Sequence, residues 1–112
     1  MGGRGTGVTE SLGRITPTGT ILHVIVHGRV QGVGFRWFVR SEARRLGLAG
    51  WVRNVPDGTV ELRASGIAQF LSALEQAIQR GPEGAAVTQI TQVETPAPDS
   101  RADTPYPFII LR

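Results

Sequence analysis

Arg36 closes the segment Gly28-Arg29-Val30-Gln31-Gly32-Val33-Gly34-Phe35-Arg36, which leaves an apolar strand and opens a helix. A strand that passes through a glycine-punctuated loop into a helix N-terminus gathers backbone N–H groups around one point. The helix dipole adds roughly half a positive charge there. An arginine at the mouth supplies a planar guanidinium that holds a phosphate through paired hydrogen bonds. A cation in the first helical turn also opposes the dipole, a misfit that a bound anion relieves. The chemistry is that of a phosphate site. The same glycines equally serve a tight strand-to-helix turn with no ligand, and spacing alone leaves both readings open.

Several other chemistries find no support. The Walker loop ends in Gly-Lys-Ser/Thr, and the chain has no lysine. The dinucleotide fingerprint is G-x-G-x-x-G with a ribose-binding acid about 20 residues further on. Here the glycines fall as G-x-x-x-G-x-G and no such acid is recognisable. A phosphoenzyme needs Ser, Thr, Asp, His or Cys in the cradle; Val30 to Arg36 offers none, and Ser41 lies too far down the helix. With no cysteine there is no disulfide, thiolate metal site or cysteine nucleophile. His23 and His27 share a strand face at a spacing of ~13 Å, too far apart to ligate one metal ion. His27, near the loop, could be proposed as a general base, but it reads first as an ordinary core or surface histidine. No metal and no cofactor are predicted.

The elements that must position the loop follow from periodicity. Ile21 to His27 reads as a first strand, with Leu22, Val24 and Val26 on one face. A helix from about Phe35 to Leu46 carries Phe35, Phe38, Val39, Ala43 and Leu46 as its apolar stripe, with Gly47 as its stop. Strands at Gly50 to Asn54 and Thr59 to Ala64, joined through Pro56-Asp57-Gly58, form a hairpin. A second helix from Ile67 to Arg80 turns Ile67, Phe70, Leu71, Leu74 and Ile78 inward and ends at Gly81-Pro82. A fourth strand from Ala86 to Glu94 alternates imperfectly, the mark of a bulge. A last strand ends at Arg112.

The order βαββαβ predicts an α+β, ferredoxin-like split βαβ sandwich: an antiparallel sheet with both helices on one face. Right-handed crossovers put the first and third strands side by side. Residues 1–19 read as a flexible glycine-rich leader before a domain at 20–112, and Pro96 to Pro107 as an irregular connection.

The loop is followed by Gly47-Leu48-Ala49-Gly50-Trp51-Val52-Arg53-Asn54 and then Asp57-Gly58-Thr59-Val60-Glu61. Together these segments resemble the acylphosphatase family, with its signatures G-x-V-Q-G-V-x-F-R and G-W-V-x-N-x-x-D-G. Gly81-Pro82 and the ending Phe108-Ile109-Ile110-Leu111-Arg112 fit the same pattern, so the resemblance spans residues 21–112. It implies a small, monomeric, cytoplasmic hydrolase of acyl phosphates, with inorganic phosphate as product and competitor. It also implies the roles. Arg36 and the backbone of Val30, Gln31, Gly32, Val33, Gly34 and Phe35 bind the phosphate, and Asn54 orients the attacking water. These residue types suit the substrate, because an acyl phosphate already carries a good carboxylate leaving group. Its hydrolysis needs charge held and a water aligned more than it needs a metal or a tuned base.

Each residue has a plainer alternative. Asparagine at a strand end and Asp57 before Gly58 are ordinary turn chemistry. Trp51 reads as a core or sheet-face residue, and Arg29 and Arg53 as sources of positive potential only. Two features depart from the family pattern: a short loop from Arg63 to Ile67, and glycine at position 34, where larger residues also occur.

One domain of 112 residues buries roughly 60–70% of its unfolded surface. No apolar run approaches a membrane span, and the N-terminus lacks an apolar signal core. Met1-Gly2 with Thr6 meets the myristoylation pattern only formally. The net charge is +3, twelve arginines against nine acids. The arginines read as scattered, with no basic stripe interleaved with aromatics. The rival function is an acylphosphatase-like anion- or RNA-binding module. Its RNA form rests on Trp51 and Phe108 as the strand aromatics, too few for a stacking surface; no nucleic-acid partner is expected. Hydrogenase-maturation carbamoyltransferases carry such a domain fused to others, whereas a chain ending at Arg112 reads as a stand-alone enzyme.

Overall fold

Alternation in the first strand is what lays down the core. In β1 (Ile21–Arg29) the even residues Leu22, Val24 and Val26 are buried, while the odd residues up to His27 are half-buried on the opposite face. The computed structural model describes residues 20–94 and 104–111. The expected leader, most of the connection from Pro96 to Pro107, and Arg112 lie outside the described residues.

After β1 come α1 (Phe35–Arg45), β2 (Ala49–Asn54), β3 (Val60–Ser65), α2 (Ala68–Arg80), β4 (Ala86–Gln92) and β5 (Ile109–Ile110). The sheet order is β4-β1-β3-β2-β5, so the first and third strands are neighbours as the split βαβ plan requires. β1 pairs antiparallel with both β3 and β4, and β2 pairs antiparallel with β3. β5 departs from the antiparallel expectation: it runs parallel to β2, with Trp51 opposite Ile109 and Val52 opposite Ile110. The reason is directional. β4 delivers the chain to the end of the sheet where β2 begins, so a strand returning beside β2 runs with it. This last strand is also shorter than its apolar sequence suggests.

The bulge sits on β4. His27 faces Gln89 but Gly28 faces Val87, leaving Thr88 as the extra residue. Gly28 permits the close approach: at its φ of 121°, a Cβ would stand 2.0 Å from the Ala86 carbonyl oxygen.

Both helices cover the face of Leu22, Val24, Val26, Val52, Val60 and Leu62. α1 contributes buried Phe35, Val39 and Ala43; α2 contributes Leu71, Leu74, Ala77 and Ile78. Each fully buried Val, Leu, Ile or Phe contributes about 1.5–3 kcal/mol, whereas a side-chain N-cap contributes about 1 kcal/mol. Neither helix has a side-chain cap, so packing holds them. Ile67, expected inside the second helix's stripe, is instead its N-cap, and it is 49% exposed. None of the helices among the described residues is long and apolar enough to cross a membrane.

Candidate active site

Two buried side chains pin the loop that joins β1 to α1. Val30 and Phe35 are each 1% exposed, and between them Gly32 and Gly34 turn outward. Gly32 and Gly34 have φ of 77° and 76°, the left-handed region, yet a Cβ at either would meet nothing within 4 Å. Glycine is therefore needed here for backbone conformation and not for space. Left-handed residues alternating with right-handed ones turn successive N–H groups to one side, which makes a concave anion nest. The N–H groups from Gln31 to Trp37 donate to no acceptor among the described residues, and the first loop-to-helix bond is from Phe38 N to Gly34 O, 3.0 Å. A row of free amides ending at an uncapped helix is a site of positive potential.

The register places Asn54 at the same end. Val60 pairs with Val26 of β1 on one side and with Asn54 of β2 on the other. Two strand spacings put the ends of β1 and β2 about 10 Å apart across β3. Alternation along β2 sends Gly50, Val52 and Asn54 to the helix-covered face and Trp51 and Arg53 to the other. Asn54 thus shares its layer with the first turn of α1. Its Oδ1 is buried and has no hydrogen-bond partner among the described residues. A buried carbonyl oxygen left unpaired costs about 1–3 kcal/mol, so it is expected to serve a donor that comes and goes.

Gln31 ties the two halves together. Its Nε2 donates to the carbonyl oxygens of Val55 and Thr59, each at 2.8 Å. The backbone of Gln31 belongs to the expected cradle; its side chain is a strut to the hairpin that follows Asn54. That second role was missed, although a lone polar residue between Val30 and Val33 is the kind of signal that marks a loop-bridging side chain.

Arg36 lies in the first turn of α1, half-buried, with no carboxylate or hydrogen-bond partner among the described residues. It lines a groove of about 280 Å³ together with Trp37, Arg40, Arg44, Ile109 and Ile110; Asn54 is not part of that groove. Arg36 therefore stands between the nest and a second, adjoining cleft. The arginines are also less scattered than their sequence positions suggest, since residues 36, 40 and 44 recur on one face of α1.

The remaining candidates fall away from this corner. Asp57 Oδ1 accepts from Thr59 Oγ1 at 2.6 Å and from Thr59 N at 2.9 Å. The Thr59 hydroxyl bond, followed by the amide bond, holds the exposed carboxyl below its ordinary 3.8. Asp57 is a turn acid. His27 donates to or accepts from Thr91 Oγ1 at 3.0 Å on the opposite face of the sheet, and so does not reach Asn54's layer. His23 lies on that face too, 2.7 Å from Glu61, with its ring edge-on to Trp51 at 5.9 Å. Phe108 is fully buried, so base stacking on strand aromatics would rest on Trp51 alone.

A family model described as acylphosphatase matches residues 22–104. An acylphosphatase of Koribacter versatilis is 49% identical over 86 residues, covering 77% of each chain. One from Bacillus licheniformis is 53% identical over 72 residues, 64% of this chain and 80% of its own. The crystal structure of acylphosphatase from Bacillus subtilis superposes with a TM-score of 0.73 at 39% identity, over 82% of this chain and 98% of that one. The much longer HypF of T. kodakarensis contains a similar fold in 12% of its length, at 29% identity and a TM-score of 0.68. The nest, the strand end beside it and the parentage of the whole fold thus converge, and the chain belongs to the acylphosphatase family.

Proposed function

We propose that the acylphosphatase activity of this chain runs through the nest, Arg36 and Asn54. The phosphoryl group of an acyl phosphate sits on the free amides between Gln31 and Trp37, with the Arg36 guanidinium on its outer oxygens. Charge spread over those oxygens in the transition state meets donors that are already aligned, so little reorganisation accompanies the reaction. Asn54 Oδ1 accepts a hydrogen bond from a water and sets it in line with the phosphorus. The water oxygen bonds to phosphorus, the phosphorus–acyl oxygen bond breaks with its electron pair leaving on the carboxylate, and the water's proton passes to a phosphate oxygen.

The observation that carries this reading is the pairing of an unpartnered, buried Asn54 Oδ1 with a strut, Gln31, that fixes its strand end against the nest. The substrate class is a small acyl phosphate, and inorganic phosphate competes for the nest. A sequence free of cysteine suits a reducing compartment, and we place the enzyme in the cytoplasm as a monomer.

Hydrolysis of benzoyl phosphate by the purified protein, with a chelator present, tests the proposal. Turnover that survives chelation and falls at least ~100-fold in Arg36→Ala supports it. A folded wild type with no turnover, or Arg36→Ala with full activity, contradicts it.

A further inference from the structure

The groove beside the nest has chemistry that phosphate binding does not use. Arg36, Arg40 and Arg44 line it from α1, and Ile109 and Ile110 of β5 form the facing wall. Four residues along a helix advance ~6 Å, so the Arg40 guanidinium follows Arg36 at about the length of a short dicarboxylic acid. The three arginines are not equivalent. Arg44 is committed: its Nε donates to the Phe108 carbonyl at 2.8 Å, clamping α1 to the residue just before β5. Arg40 is held but not neutralised. Its guanidinium stacks 4.3 Å from the centroid of the Trp37 ring, its Nε is buried without a hydrogen-bond partner, and no carboxylate among the described residues pairs with it. Trp37 itself is 58% exposed at the groove's edge.

An ordered, half-buried cation with no carboxylate partner among the described residues is costly unless something anionic visits it. Stacking on Trp37 fixes its plane and lowers the entropy lost when it binds. The isoleucine wall opposite suits methylene groups. Arg36 lines this groove and also stands in the first turn of α1 beside the nest, so the groove adjoins the place where the acyl end of a bound acyl phosphate would leave the nest. We infer that the groove holds the acyl end of the substrate, and that it selects acyl phosphates whose acyl group ends in a second anion, with Arg40 as the cation that receives it. This rests on the phosphate site proposed above. Arg40 is a specificity residue: it touches the substrate's tail and not the reacting atoms.

Succinyl phosphate and butyryl phosphate have the same carbon count and differ in the terminal carboxylate, so the ratio of their kcat/KM values reads the groove alone. The wild type is expected to prefer succinyl phosphate, and Arg40→Met to lower that ratio about tenfold, the loss of one charge-assisted hydrogen bond. Arg40→Lys, which keeps the charge, should retain most of the preference. Arg45→Met removes the same charge from the same helix but outside the groove, and should leave the ratio within about twofold of the wild type. A wild type with no preference, or an Arg40→Met variant that slows both substrates equally, overturns the inference while leaving the phosphate site intact. If neither substrate is hydrolysed, the phosphate site itself fails and the inference, which rests on it, falls with it.

Discussion

The side-chain amide of Gln31 reaches out of the phosphate nest and donates to the carbonyl of Val55, 2.8 Å away, the residue directly after Asn54. One side chain thus fixes the distance between the group that would hold a phosphate and the group that would aim a water at it. A misplacement of about 1 Å in such an arrangement is enough to cost a factor of ~100 in rate.

Gln31→Ala should therefore damage catalysis more than stability. Both carbonyls that it meets keep a second donor, Gly58 N for Val55 and Val55 N for Thr59, so neither is orphaned. The expected loss of stability is about 1 kcal/mol by urea denaturation. The expected fall in kcat is larger than that figure implies, at least ~10-fold, because Asn54 and the nest are no longer held in register. Gln31→Glu, which sets a carboxylate against two carbonyl oxygens, should be less stable than Gln31→Ala.

Gly34 offers a test of the nest itself. A Cβ there meets nothing, so any penalty in Gly34→Ala comes from the left-handed backbone alone, about 1–2 kcal/mol. Relief of that strain rotates the amide planes, and inhibition by inorganic phosphate should weaken along with stability. Gly34→Asn, a residue that tolerates this conformation, should lose less of both. Equal losses for the two variants would mean that backbone conformation is not what glycine supplies at this position.

Much of this arrangement is legible in the sequence, because it is local. The alternation of Leu22, Val24 and Val26 fixes which face of β1 is buried, and the glycines at 32 and 34 announce a backbone that other residues avoid. Asn54 at the end of a strand whose partner register runs through Val60 follows from the hairpin. What escaped detection depends on long-range pairing. β5 is too short for its sequence to declare a direction, and only the end at which β4 delivers the chain makes it parallel to β2. The Gln31 strut spans 24 residues to Val55, so the lone polar residue between Val30 and Val33 signals a bridge without saying what it reaches. The arginines at 36, 40 and 44 do have helical spacing. Counting adjacent charges hid it, and only the β5 wall opposite turns them into a groove.

The open face of the sheet sets the acid response. Burial pushes the Glu61 carboxyl up, but hydrogen bonds from His23 at 2.7 Å and Arg53 at 2.6 and 2.9 Å outweigh it and hold the group below its ordinary 4.5. A carboxyl lowered by folding stabilises the protein fully above its unfolded value. That contribution is lost as pH falls through the folded one. Glu61→Gln should then cost about 1–3 kcal/mol at neutral pH, and its stability should converge on the wild type's below pH 4.5. A gap between the two that stays constant from about pH 7 to about pH 3, a range that brackets the ordinary carboxylate values, would show that Glu61 is not the titrating partner.

The central claim is a division of labour between Arg36 and Asn54, and one assay addresses it: benzoyl phosphate turnover at rising inorganic phosphate, giving kcat and the phosphate inhibition constant together. For Asn54→Ala the account predicts kcat lower by about 10²–10³ with the inhibition constant within about twofold of the wild type. For Arg36→Ala it predicts an inhibition constant at least ~10-fold weaker. An Asn54→Ala enzyme with unimpaired kcat, or an Arg36→Ala enzyme that binds phosphate like the wild type, would contradict it.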